Sequence, residues 1–199
     1  IPYDTGLARE SVSKEYVDIC RTFLEEGAKI FVFETLSDIE DICDAIKFIG
    51  DQAFVIVQFS INQFGYSQSG LSARKLIQRA ESIDCVNAVG FNCGVGPGHM
   101  QQIIRSVNFS GKKMLTALPN AGYPQTVSNR MIFDNQNIDY FVTKMCDIAA
   151  DGVDIVGGCC GTTPEYIRKM KEKVSFTQPE KVVPITQTKK ANSPKHDGS

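Results

Sequence analysis

Gly157-Gly158-Cys159-Cys160-Gly161-Thr162-Thr163-Pro164-Glu165 sets two adjacent thiols in a glycine frame. The apolar run Val153–Val156 comes directly before it, and a helix start comes directly after. Proline suits the first helical position, where its missing N–H has no partner to lose. That helix is expected to run to about residue 173. A third cysteine, Cys93, stands in Gly90-Phe91-Asn92-Cys93-Gly94, again just past an apolar run. Three thiolates brought to one point make an open zinc site with one coordination position left for a reacting group. Adjacent side chains on a strand point to opposite faces. Cys159 and Cys160 therefore meet one ion only if the backbone leaves strand geometry. Gly157, Gly158 and Gly161 are expected to supply that freedom, since glycine tolerates positive φ.

Outward from these glycines, the chain alternates short apolar strands with helices. Tyr16, Cys20, Phe23 and Leu24 fall at helical spacing over 14–26, and Gly27 can end that helix. Strands are expected at Lys29–Phe33, Ala53–Phe59, Val86–Phe91, Met114–Leu118 and Val153–Val156. Ser37-Asp38-Ile39-Glu40 has the form of a capping box, and Ile39, Ile42, Ile46 and Ile49 follow on one helical face. Further helices are expected at 71–82, from Pro97, and at 138–150. An Asn-, Gly- and Pro-rich loop is expected over Pro119–Asn137.

Apolar strands separated by helices imply parallel βαβ units with both sheet faces covered. An open doubly wound sheet is the rival, but no glycine-rich phosphate loop follows the first strand. Glu34, Ser60, Cys93, Pro119-Asn120 and Cys159 each fall just past a strand end. In a barrel those five ends share one rim, where active sites sit. The fold expected is therefore α/β, a (β/α)8 TIM barrel. It is incomplete, because five units occupy about 160 residues and a closed barrel needs roughly 250.

The 199 residues are 42% hydrophobic and 22% charged, with net charge -2. This composition argues for a packed core and against disorder. No basic surplus favours nucleic acid. No run approaches the roughly 18 apolar residues of a membrane span, and no signal peptide opens the chain, so a cytoplasmic location is expected. Seven cysteines without a signal peptide do not form a secreted disulfide framework. Cys20, Cys43, Cys85 and Cys146 read as small core residues. Ile1 is not an initiator methionine, so the chain is expected to come from a longer protein. From Ser175 onward Pro, Lys, Ser and Thr dominate, which reads as a flexible linker or tail over 175–199.

The GGCCGTTPE stretch, together with Gly90-Phe91-Asn92-Cys93, Phe33-Glu34-Thr35 and Pro119-Asn120-Ala121-Gly122-Tyr123-Pro124, resembles the homocysteine S-methyltransferase family over about residues 1–174. The resemblance implies a (β/α)8 barrel in which Cys93, Cys159 and Cys160 ligate Zn2+ and the zinc binds the homocysteine thiolate. It implies that Glu34 binds the substrate's amino group. A carboxylate at a barrel rim suits that role, pairing with an ammonium and fixing orientation. Asn120 stands as a further substrate-binding candidate, and Asn92 is expected to shape its turn. The implied reaction gives methionine, with methyltetrahydrofolate, S-methylmethionine or betaine as donor. A downstream methylenetetrahydrofolate reductase, or folate and cobalamin modules, is the implied fusion partner. The family's domain has three more strand-helix units before the position of Ile1, including a glycine-rich first strand. Without them the piece is expected to be weakly stable, and an inactive fragment stands as an alternative reading. The sequence leaves two other classes open. One is a non-catalytic module that binds zinc or cycles a Cys159–Cys160 disulfide. The other is a metal-free enzyme with Cys93 as nucleophile; His99 is poorly placed as its base, in the first turn of a helix.

Overall fold

A computed structural model describes residues 9–122, 124–127, 130–133 and 137–176. Most of the expected tail, 177–199, lies outside the described residues. The strands are β1 (Ile30–Leu36), β2 (Phe54–Phe59), β3 (Ala88–Asn92), β4 (Met114–Leu118), β5 (Pro124–Val127), β6 (Arg130–Phe133) and β7 (Ile155–Val156). The helices are α1 (Arg9–Glu25), α2 (Cys43–Ile49), α3 (Ala73–Glu81), α4 (Pro97–Ser106), α5 (Ile138–Ala150) and α6 (Pro164–Lys173). One parallel sheet has the order β1-β2-β3-β4-β7. Chain order and sheet order agree without reversal, as in a barrel sector and unlike a doubly wound sheet. The structure is α/β, an incomplete (β/α)8 barrel.

Alternation along β1 decides which face is which. Phe31 and Phe33 are buried, and their rings meet Phe23 and Tyr16 of α1. Ile30 and Val32 point the other way and are 63% and 51% exposed. The concave face that a closed barrel would fill is thus partly open among the described residues, and its apolar lining is left in contact with solvent. The helix-covered face holds the core: Ile42, Ile46, Ile49, Val55, Val57, Leu76 and Ile77 are all fully buried there.

Three local expectations need correction. Ser37 makes no capping box: a 3-10 turn at Glu40–Ile42 leads into α2, and neither has a side-chain cap bond. Instead the Ser37 hydroxyl accepts from Ser69 (3.0 Å), and Asp38 pairs with Arg79 (2.8 Å). Inside the expected Pro119–Asn137 loop, β5 and β6 pair as an antiparallel ribbon. Thirdly, β1 does not stop at Phe33. It runs on through an irregularity in which Phe33 opposes Val57 and Leu36 opposes Phe59. Glu34 and Thr35 therefore share the space opposite Gln58, a β-bulge at the strand's C-terminal end.

Candidate metal and substrate site

The five parallel strands deliver their C-terminal ends to one rim. Cys93 directly follows β3, and its N–H donates to Leu118 O on β4 (3.0 Å). Its φ is +56°, a left-handed conformation rare for a residue with a Cβ. The following Gly94 is pinned at φ +71° beside the Ile61 backbone. These two residues form a tight turn, closed by Val95 N–H donating to Cys93 O (2.7 Å).

The double cysteine is laced to the segment after β4. Cys159 N–H donates to Pro119 O (2.8 Å), and Ala121 N–H donates to Cys160 O (2.8 Å). Asn120 Oδ1 accepts from Cys160 N–H (3.1 Å), and Asn120 N–H donates to Val95 O (2.9 Å). Pro119-Asn120 thereby ties the Cys93 turn to the Cys159-Cys160 turn. Of the three framing glycines, only Gly161 has positive φ, at +78°. Gly157 and Gly158 matter for space instead. A Cβ on Gly157 would press on Leu118, and one on Gly158 would overlap the Thr162 side chain. The expected backbone freedom thus sits at Gly161 and, unexpectedly, at Cys93 itself.

These turns bring Cys93, Cys159 and Cys160 together, with their sulfurs all within 4.8 Å of one another. Cys93 and Cys160 Sγ are 3.8 Å apart. A tetrahedral site with Zn–S bonds of ~2.3 Å has sulfurs ~3.8 Å apart, so the Cys93–Cys160 spacing matches one edge of a zinc site. A soft three-sulfur donor set suits the same ion. This is the only such group among the described residues. Burial, then the neighbouring Cys93 and Cys160 charges, push the Cys159 thiol up to about 12. Burial and then Cys93 raise Cys160 as well. Both are neutral thiols at pH 7 unless a cation offsets the charge.

Glu34 lies across the rim in the β1 bulge, with its side chain exposed. The link between it and the cysteines is Asn92, the last residue of β3, which is fully buried. Its Oδ1 accepts from Thr35 N–H (2.7 Å). Its amide Nδ2 donates to Thr35 Oγ1 (2.9 Å) and lies 3.4 Å from Glu34 Oε2 and 3.9 Å from Cys159 Sγ. Thr35 has φ +60°, a strained conformation that costs about 1–3 kcal/mol and persists only where surroundings enforce it. Local turn-shaping therefore understates Asn92, whose side chain reaches past β2 to β1. A signal was available: Asn92 shares the concave face with Gly90 by strand alternation, and a polar side chain there needs partners. Ser60 is half-buried, and its N–H donates to Leu36 O (2.9 Å). His99 is exposed on the first turn of α4. Cys20 is buried, and Cys43, Cys85 and Cys146 are half-buried against the core.

A family model described as homocysteine S-methyltransferase matches residues 2–174. The chain is 26% identical over 171 residues to the methionine synthase of Mycobacterium leprae (strain TN), covering 82% of this chain and 14% of that protein. Among solved structures it resembles the homocysteine methyltransferase MmuM from Escherichia coli. The apo form matches at 21% identity and TM-score 0.63, over 86% of this chain and 59% of that one. The metallated form matches at 21% identity and TM-score 0.63, over 85% and 53%. At that identity the likeness shows a shared fold. The chain thus spans about a seventh of the curated relative and just over half of the solved chains. Family model, sheet order and cysteine cluster agree, and the chain belongs to the homocysteine S-methyltransferase family.

Proposed function

We propose that the protein containing this chain transfers a methyl group to the sulfur of homocysteine, giving methionine, with Cys93, Cys159 and Cys160 holding Zn2+. The observation that carries this reading is three thiol sulfurs within 4.8 Å of one another on a rim that also bears Glu34. Zinc held there supplies the positive charge that keeps an acceptor thiol deprotonated yet nucleophilic at neutral pH.

The chain's own residues set the geometry. Asn120 fixes the Cys160 backbone through its side-chain carbonyl, which leaves its amide NH2 as the part that could touch substrate. Glu34 faces the mouth as an exposed carboxylate and accepts the substrate's ammonium, a charge-assisted contact that orients the amino acid. In the transfer, the bond from the methyl carbon to the donor breaks as the bond to the acceptor sulfur forms, and the thiol proton leaves to solvent. Positioning of this kind lowers the barrier by removing entropy before the reaction.

Methyltetrahydrofolate, S-methylmethionine and betaine are the donors to try, and a reductase or a folate and cobalamin module the fused partner to look for. The test is methyl transfer to homocysteine by the full-length protein, with each donor in turn. Methionine formed from at least one donor supports the reading. Zinc-loaded protein that methylates homocysteine from none of them contradicts it. A metal-free Cys93 nucleophile predicts instead activity indifferent to chelators. Residues 1–174 are assigned to the methyltransferase domain and 175–199 to a linker, and the protein to the cytoplasm. No helix among the described residues is long and apolar enough to cross a membrane.

A further inference from the structure

The β1 bulge has a consequence for which thiol the site accepts. Glu34 and Thr35 occupy the place of one residue opposite Gln58, and Thr35 is left-handed at φ +60°. A bulge re-aims the side chains beside it. This one directs the Glu34 carboxylate, and nothing in the β1–β2 ladder holds it, because the ladder is interrupted there. The hold comes from β3. Asn92 accepts from Thr35 N–H at 2.7 Å and donates to Thr35 Oγ1 at 2.9 Å, gripping that residue by backbone and side chain. The same Nδ2 lies 3.4 Å from Glu34 Oε2 and 3.9 Å from Cys159 Sγ. Asn92 is 0% exposed, so water does not compete for these bonds. One rigid side chain thus touches both ends of the site: the carboxylate for the amine and a sulfur of the metal cluster.

Resting on the methyltransferase reading, we propose that Asn92 is a positioning residue that fixes the separation of Glu34 from the cysteine cluster. It thereby makes the site selective for a thiol carrying an α-amino group at matching distance. Neither Glu34 nor Cys159 sets that distance alone, since Glu34 sits on β1 and Cys159 in the turn after β7, the two edge strands of the described sheet, and Asn92 on β3 lies between them.

The experiment uses the full-length protein as wild type, Asn92→Ala, Asn92→Asp, Glu34→Gln and the Glu34→Gln/Asn92→Ala double variant. Two readouts are taken. The first is methyl transfer to homocysteine against 4-mercaptobutanoate, which keeps thiol and carboxylate but lacks the amino group. The second is zinc retention against a chelator, read without turnover. Asn92→Ala is expected to reduce the preference for homocysteine at least tenfold, to the level of Glu34→Gln. The double variant falls no further, because both changes remove one contact. Removing a residue that orients a ligand typically weakens metal binding 10–100-fold, so zinc loss about tenfold easier is expected in Asn92→Ala. Asn92→Asp keeps the size and the acceptor for Thr35 N–H but removes the amide donors. It is expected to melt below wild type, because the new carboxylate is buried beside Glu34, and to lose the preference while still folded at the assay temperature. A preference retained in either Asn92 variant, additive losses in the double variant, or wild-type zinc retention in Asn92→Ala would each overturn the proposal. A zinc-loaded wild type that methylates neither thiol overturns the methyltransferase reading instead.

Discussion

Gly94→Ala, compared with Gly70→Ala, tests the turn that presents Cys93. Both glycines are left-handed, at φ +71° and +73°. Alanine in that region costs about 1–2 kcal/mol at either site. Their surroundings differ. A Cβ on Gly70 meets nothing within 4 Å. A Cβ on Gly94 would overlap the Ile61 carbonyl oxygen and lie 3.0 Å from its carbon and 3.1 Å from the Ile61 nitrogen. Those are backbone atoms between β2 and its following loop, so no rotamer change relieves the clash. Overpacking of this kind adds about 1–3 kcal/mol. The expected losses are therefore about 1–2 kcal/mol for Gly70→Ala and about 2–5 for Gly94→Ala. With a urea slope of about 1–3 kcal/mol/M, the two midpoints should differ by about 1 M. Urea titrations followed by far-UV circular dichroism, with chelator present, measure this. Coincident midpoints would refute the close approach of Ile61 to the Cys93 turn.

Other consequences follow from burial and charge. Cys159 and Cys160 are protonated at neutral pH, so zinc uptake must release at least two protons; titration calorimetry in buffers of different ionisation enthalpy counts them, and release of none contradicts the assignment. Raised thiol pKa values also make metal-free stability pH-dependent. Below about 8.5 folded and unfolded thiols are both protonated; above it the unfolded thiols ionise first, so stability declines as pH rises toward 12. Metal-free protein equally stable at pH 8 and 10.5 would count against the burial of Cys159. Phe141 on α5 is buried edge-on against Tyr166 of α6, with ring centroids 5.2 Å apart. Phe141→Ala should cost about 3–5 kcal/mol in the same urea assay, and a loss under about 1 kcal/mol would deny that this ring pair holds α5 against α6.

The barrel sector was legible because its strands carry apolar runs that only burial on both faces explains. Met114–Leu118 and residues 138–150 have the bounds their apolar patterns indicate. The cysteines and Glu34 were legible because each sits just past such a run. Long-range partnering was not legible. Ser37 has the local signature of a cap, yet Ser69 takes its hydroxyl, a contact 32 residues away. Asn92 looks like a turn residue beside glycines, yet its partners lie 57 and 67 residues distant, at Thr35 and Cys159. The bulge at Glu34-Thr35 has no local signal at all, because Thr35 is not a residue that favours positive φ.

Zinc content of the full-length protein, measured by metal analysis on wild type, Cys93→Ser, Cys159→Ser and Cys160→Ser, tests the central claim most directly. One zinc per chain in the wild type and loss of it in each of the three variants is the predicted result. A wild type purified without metal, or any single variant that keeps its full zinc, would contradict a site built from these three sulfurs.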